Sequence, residues 1–183
     1  MKQNGSYRFH TQVIHAAQSP GGWHGATLAP IFQTASHSHP TAENLSQTFA
    51  GKTTDHIYMR LTNPTNRILE EKLTALEGGK GAVVTSSGMA AITNACMALL
   101  RTGDELVAGN SLFMSTYLLF ANVFKKYGIT ARMVESTDDN AIERAINSKT
   151  RLIFLETIGN PKMDVIRFLS DLFATYGIFL IGK

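Results

Sequence analysis

Three features of the chain predict an α/β architecture, a mostly parallel sheet with helices on both faces. From Asn66 onward, segments with apolar residues at helical spacing alternate with short runs rich in Val, Ile and Leu. Glycines punctuate the joints, at Gly78-Gly79, Gly103, Gly128 and Gly177. The strand ends are small or polar: Thr85-Ser86-Ser87, Gly109-Asn110-Ser111 and Thr157-Ile158-Gly159-Asn160. Ligands of such sheets bind beyond the carboxyl ends of the strands, so these three ends are the place to look for a site.

Residues 1–57 read as an irregular N-terminal arm, broken by Pro20-Gly21-Gly22 and Pro30, with one short helix expected over Ala42–Phe49. Residues 58–183 read as an α/β domain, which the resemblance described below implies is incomplete. Ile68, Leu69, Leu73 and Leu76 give Asn66–Glu77 the spacing of a helix. Strands are expected at Gly81–Thr85, Glu105–Ala108, Thr130–Val134, Arg151–Glu156 and Ile178–Ile181. Between them fall helices at Gly88–Arg101, Ser115–Tyr127, Asn140–Asn147 and Val165–Tyr176. No internal repeat and no low-complexity tract interrupts this order.

Composition narrows the function classes. Hydrophobic residues make up 44% of the chain and charged ones 17%, the balance of a globular domain. The net charge of +3 comes from scattered basic residues, with Lys125-Lys126 the single adjacent pair, so no basic stripe points to nucleic acid. One cysteine, Cys96, lies in an apolar run; it permits no internal disulfide and suits a reducing, cytoplasmic setting. No stretch approaches a membrane span. His37-x-His39 has no Cys or carboxylate cluster to complete a metal site.

Two segments carry chemistry. In Ser86-Ser87-Gly88-Met89 a strand end opens directly into a helix, whose first N–H groups and partial positive charge suit a phosphate; the same residues also make an ordinary N-cap. In Tyr58-Met59-Arg60-Leu61-Thr62-Asn63-Pro64-Thr65, Tyr58 and Arg60 stand two apart. In an extended segment they point to one side, where a phenol and a guanidinium can grip a phosphate dianion.

Together, and with Ala75-Leu76-Glu77-Gly78-Gly79 between them, these segments resemble the Cys/Met-metabolism family of pyridoxal 5'-phosphate (PLP) enzymes. Members make and break bonds at Cγ of homoserine esters, cystathionine or methionine. The resemblance implies a type I PLP-transferase-like fold and a homo-oligomer. In it, Tyr58 and Arg60 reach the cofactor phosphate of a neighbouring subunit. It implies that the backbone of Ser87, Gly88 and Met89 holds the same phosphate, and that Phe113 stacks on the pyridine ring. It implies further that Asn160, in Glu156-Thr157-Ile158-Gly159-Asn160-Pro161, hydrogen-bonds the ring's 3'-oxygen.

Phe113 stands where the family usually has Tyr. It keeps the π-face but not the phenol hydroxyl, which resembles the homoserine-ester sulfhydrylase branch more than the γ-lyases. Met114 replaces a usual Gly and would be strained if the backbone there needs a positive φ. At Gly182-Lys183 the family pattern fails: an Asp that pairs with the pyridinium is expected at 183, and the lysine that binds PLP covalently lies further on. No residue is therefore assigned a catalytic role. The expected function is PLP-dependent γ-replacement giving homocysteine, inactive in this chain alone, with cystathionine γ-synthase or methionine γ-lyase chemistry as the alternative. A non-catalytic remnant or one half of a split enzyme completed by a second chain also fits. A nucleotide-binding sheet finds no Gly-x-Gly-x-x-Gly support.

Overall fold

The computed structural model describes residues 7–17, 23–166 and 179–182, the last four for their backbone alone. The chain divides into two compact units, Met1–Val84 and Thr85–Lys183; the expected arm falls within the first.

In the first unit, α1 (Phe9–His15) packs on α3 (Pro64–Glu77), and α2 (Ala42–Phe49) occupies the span expected of it. Asn63 starts α3 in two ways at once. Its Oδ1 accepts from Thr65 N–H at 2.8 Å, and its amide nitrogen donates to Phe32 C=O at 3.1 Å. Thr65 Oγ1 accepts in turn from Phe32 N–H at 2.9 Å. Pro64, with no N–H to lose, takes the first helical turn, and Gly78 closes the helix at φ 63°. Asn-Pro-Thr is thus a clasp that fastens residue 32 to the start of a helix. Upstream, a bridge between Ser36 and Tyr58 is flanked by His37 N–H to Ile57 C=O and Met59 N–H to Ala35 C=O, both 2.9 Å.

The second unit holds a four-stranded sheet in the order β2-β1-β3-β4, with every pairing parallel: β1 Glu105–Gly109, β2 Thr130–Val134, β3 Thr150–Leu155 and β4 Phe179–Gly182. Strand side chains alternate between two cores. Leu106, Ala108, Leu152 and Phe154 join Ile92, Cys96 and Leu100 from α4 (Gly88–Leu99) and its end, and Phe120 and Phe124, on one face. Val107, Ile153 and Leu155 join Ile142 from α6 (Asp139–Ala145) on the other. Helices therefore cover both faces, as the apolar runs predict. Edge strand β2 is more exposed, and its Arg132 makes a two-pronged contact with Glu105 at 2.5 and 3.4 Å. Asn147 adds a third bond to Glu105 at 2.7 Å, so one carboxylate ties together the starts of β1, β2 and β3.

Three expectations need correction or restriction. Gly81–Thr85 forms no strand: a strand exists only in a ladder, and no described strand pairs with it. Instead Val84 N–H bonds Glu70 Oε1 at 2.9 Å, and Val83 is 83% exposed. The helix expected over Ser115–Tyr127 starts as α5 (Met114–Leu118) but continues over Leu119–Phe124 as a π-helix. In the helix expected over Val165–Tyr176, Val165 instead bridges Ile158, and residues 167–176 lie outside the described residues.

Phe154 is fully buried and edge-on to Phe120, with ring centroids 5.0 Å apart. Phe154→Ala should lower stability by about 3–5 kcal/mol, seen as a lower urea midpoint at unchanged slope.

Two acid transitions are also expected. Burial, reinforced by His37 and Arg67, lowers the pKa of His56, against smaller opposing effects of Asp55 and Glu71. The unfolded chain then takes up the proton more readily. Stability from this group is complete above about pH 6.5 and is lost as pH falls through the lower folded value. Hydrogen bonds from Arg132 and Asn147 lower the Glu105 carboxyl, whose contribution is complete above about pH 4.3 and is lost below it in the same way. The single tryptophan, Trp23, sits in the first unit. Its fluorescence should change before the far-ultraviolet signal of the sheet on acidification, and His56→Gln should erase that early step. One coincident transition, unaltered by His56→Gln, would sink the assignment.

Candidate functional site

The order β2-β1-β3-β4 makes the chain leave β1 in one direction through α5 and pass back over it through α6 on the opposite face. The loops after β1 and β3 then diverge, which opens a crevice at their carboxyl ends. Phe113 and Asn160 follow β1 and β3 at these ends, and Met89 ties the start of α4 to α5.

Ser87 caps α4, its Oγ accepting from Ala90 N–H at 3.1 Å, while Thr85 Oγ1 donates to Ser87 C=O at 2.8 Å. Gly88 opens the helix, and a Cβ built there would meet nothing within 4 Å. Met89 turns its side chain the other way, toward the core, where its Sδ lies 3.7 Å from Thr116 Oγ1. Met89 can offer the crevice only its backbone. The same contact carries α4 to α5 and hence to Phe113.

Phe113 stands at the N-cap of α5 and belongs to neither core cluster; it is 39% exposed, which argues against core packing. Its N–H donates to Glu156 Oε1 at 3.1 Å, a buried carboxylate at the end of β3. Met114, the departure flagged above, takes ordinary helical backbone as the first residue of α5, so the substituted Gly leaves no left-handed strain. Asn160 is exposed and lines a cavity of about 360 Å³ with Glu156, Thr157 and Ile158. Its N–H reaches Ser111 C=O at 3.3 Å, and its bond to Pro161 is cis.

Tyr58 and Arg60 belong to the first unit. Tyr58 ends the bridged segment and Arg60 lies in the turn that follows, since the Leu61 and Thr62 N–H groups both bond Tyr58 C=O, at 2.8 and 3.1 Å. The expected shared side survives by another route: the Arg60 guanidinium carbon lies 4.8 Å from the centroid of the Tyr58 ring. Arg60 also lines a groove of about 670 Å³ between α3 and residues 78–84. Lys183 lies outside the described residues.

Sequence reasoning names Ser111 only as part of a strand end and passes over Glu135, Ser136 and Asp164. Ser111 Oγ donates to Asp164 Oδ2, and Ser111 N–H donates to Ser136 Oγ at 3.1 Å. A hydrogen bond from Asn110, 3.0 Å away, lowers the Glu135 carboxyl, and Lys162 Nζ at 3.8 Å adds to the effect. The only sequence signal for this network is the pair of glycines that lets its loops close. A Cβ on Gly109 would fall 2.4 Å from Ser136 Oγ, and one on Gly159 would fall 2.6 Å from Ser111 Cβ.

An open helix N-terminus, a half-exposed aromatic ring and an amide beside a cavity are what a phosphorylated aromatic ring requires, so these residues fit PLP. No group of three or more possible metal ligands occurs among the described residues. No helix among them is long and apolar enough to cross a membrane.

A profile of the Cys/Met metabolism PLP-dependent enzymes matches residues 10–174. The chain is 38% identical over 155 residues to L-methionine gamma-lyase of Pseudomonas putida, covering 85% of this chain and 39% of that protein. It is 40% identical over 162 residues to homocysteine/cysteine synthase of Saccharomyces cerevisiae, covering 87% and 36%. A solved Campylobacter jejuni protein, described as an O-acetylhomoserine (thiol)-lyase with a pyridoxyl-lysine phosphate, matches at a TM-score of 0.90. That match has 26% identity and covers 97% of this chain and 44% of that one. The chain belongs to the Cys/Met metabolism family of PLP-dependent enzymes. It spans less than half the length of these relatives.

Cys96 takes no part in this crevice. It is fully buried, and burial pushes its thiol up to about 12. A chromogenic disulfide reagent should titrate no thiol in the native protein and one after denaturation; rapid native reaction would contradict the packing.

Proposed function

We propose that these residues form the cofactor-holding part of a PLP-dependent enzyme of sulfur amino-acid metabolism. The reaction is γ-replacement on an O-acetyl- or O-succinylhomoserine, with sulfide as nucleophile and homocysteine as product. The observation that carries this reading is the Phe113 N–H bonded to Glu156 at the end of β3, beside the cavity that Asn160 lines, in a family that is PLP-dependent. When bound, PLP supplies the electron sink for charge developing next to the amino-acid nitrogen.

The chain's own residues hold and orient. Ser87, Gly88 and the Met89 backbone present N–H groups to the phosphate. Phe113 offers a flat apolar face to the ring, and the Asn160 amide fixes the ring's 3'-oxygen. Tyr58 and Arg60 supply a second phosphate grip, toward the cofactor of a neighbouring subunit in a homo-oligomer. Relatives carrying the names homocysteine/cysteine synthase and O-acetyl-L-homoserine sulfhydrylase support the sulfhydrylase reading. Phe113 favours it too, because a phenyl ring has no hydroxyl proton to give or take. The L-methionine gamma-lyases among the relatives keep elimination from methionine as the alternative.

None of these 183 residues is assigned the covalent lysine on this reading. PLP added to the chain should bind reversibly, with an induced dichroism band, and borohydride should fix pyridoxyl groups only substoichiometrically, scattered over surface lysines. Phe113→Ala should weaken binding by roughly tenfold, while homoserine ester and sulfide should give no homocysteine. Stoichiometric borohydride-stable labelling of a single lysine, or turnover by this chain alone, would overturn the reading.

A further inference from the structure

The loop after β1 and the loop after β3 are separate in sequence but locked together in space, and Ser111 is the lock. It is 2% exposed and meets residues 157–164 at three points. Its carbonyl accepts from Asn160 N–H at 3.3 Å. Its hydroxyl donates to Asp164 Oδ2. Its Cβ faces Gly159 so closely that a Cβ there would sit at 2.6 Å. Asp164 then bonds back across its own loop, its carbonyl accepting from Gly159 N–H at 2.7 Å, and Met163 N–H reaches Gly159 C=O at 2.9 Å. Two residues beyond Ser111, Phe113 N–H is held by Glu156 at 3.1 Å, at the root of the same second loop.

Phe113 and Asn160 therefore cannot move independently. The hydroxyl of Ser111 and the carboxylate of Asp164 set the distance between an aromatic face and an amide that sit on different loops. Ser136 steadies Ser111 from the β2 side through its 3.1 Å bond, and a Cβ on Gly109 would collide with the same Ser136 hydroxyl. Rigid support of this kind decides whether contacting groups hold their geometry.

We infer that Ser111 and Asp164 are positioning residues, which register the ring-facing Phe113 against the 3'-oxygen-facing Asn160 and touch no cofactor themselves. The inference rests on the proposed reading of Phe113 and Asn160 as the groups that hold the PLP ring.

The test measures PLP affinity by fluorescence, ring orientation by the induced dichroism band, and inorganic phosphate affinity by competition, for the chain and four variants. Ser111→Ala and Asp164→Ala should each weaken PLP binding roughly five- to thirtyfold and shrink the induced band. They should leave inorganic phosphate binding unchanged, because the α4 N-terminus is not part of the lock. Asp164→Asn keeps an acceptor oxygen for the Ser111 hydroxyl and should restore most of both signals. Phe113→Ala serves as the control for the underlying reading.

If Phe113→Ala weakens PLP binding but Ser111→Ala and Asp164→Ala do not, the positioning role is wrong and the site reading stands. If Phe113→Ala also has no effect, the site reading itself fails and the inference fails with it. Equal losses of phosphate and PLP binding in Ser111→Ala and Asp164→Ala would mean general damage to the fold and overturn the inference, as would Asp164→Asn behaving like Asp164→Ala.

Discussion

The second unit depends on one constraint: β1 must be satisfied on both edges and both faces at once. All five of its residues are buried, it hydrogen-bonds β2 on one side and β3 on the other, and its side chains alternate between two separate cores. A strand so placed leaves the chain two exits, one for each direction of sheet growth, with the crossover helices on opposite faces. The crevice at the end of β1 follows from that topology before any functional residue is chosen. The polar clamp of Glu105 by Arg132 and Asn147 secures the opposite end of the strands, so the loops at the carboxyl ends issue from a rigid base.

What the sequence reveals of this arrangement follows from which signals are local. Thr130–Val134 and Ala42–Phe49 are read with their boundaries intact, because each is short and bounded by local signals, the helix by the Thr41 cap that the structure shows. Gly81–Thr85 has the composition of a strand, but composition gives only fitness for a ladder, and the ladder partner is not a local property. α1 escapes notice for the opposite reason: no side chain caps it, and none of its residues is buried. The π-helical stretch keeps Leu119, Phe120 and Phe124 on the core. An apolar pattern of that kind does not separate i→i+4 from i→i+5 bonding.

The site is legible to a different degree. Residue chemistry leaves Phe113 open between stacking and core packing; at 39% exposed it is not a buried core residue. Tyr58 and Arg60 were placed on one side by the geometry of an extended segment. The guanidinium instead lies over the ring where the chain turns, a contact that the geometry of an extended segment does not predict. The contact of Ser111 with Asp164 joins residues 53 apart and leaves no trace in spacing. Its nearest sequence correlate is Gly159, small because a side chain there would collide with Ser111.

On the proposed reading, the division of labour among these groups limits what they can do chemically. A phosphate at the α4 N-terminus is held by backbone N–H groups, which give affinity without distinguishing one amino-acid substrate from another. Discrimination must then come from side chains around the ring. Those placed there by the described residues are a phenyl ring and an amide, and neither exchanges a proton near neutral pH. The two carboxylates closest to them are occupied as struts, Glu156 by the Phe113 N–H and Asp164 by the Ser111 hydroxyl. Freeing either for proton transfer would release the loop it braces. Binding and orientation therefore belong to this set of residues, and the group that moves the substrate proton has to be supplied from outside it. A site divided in this way can retain its affinity for cofactor whether or not turnover follows.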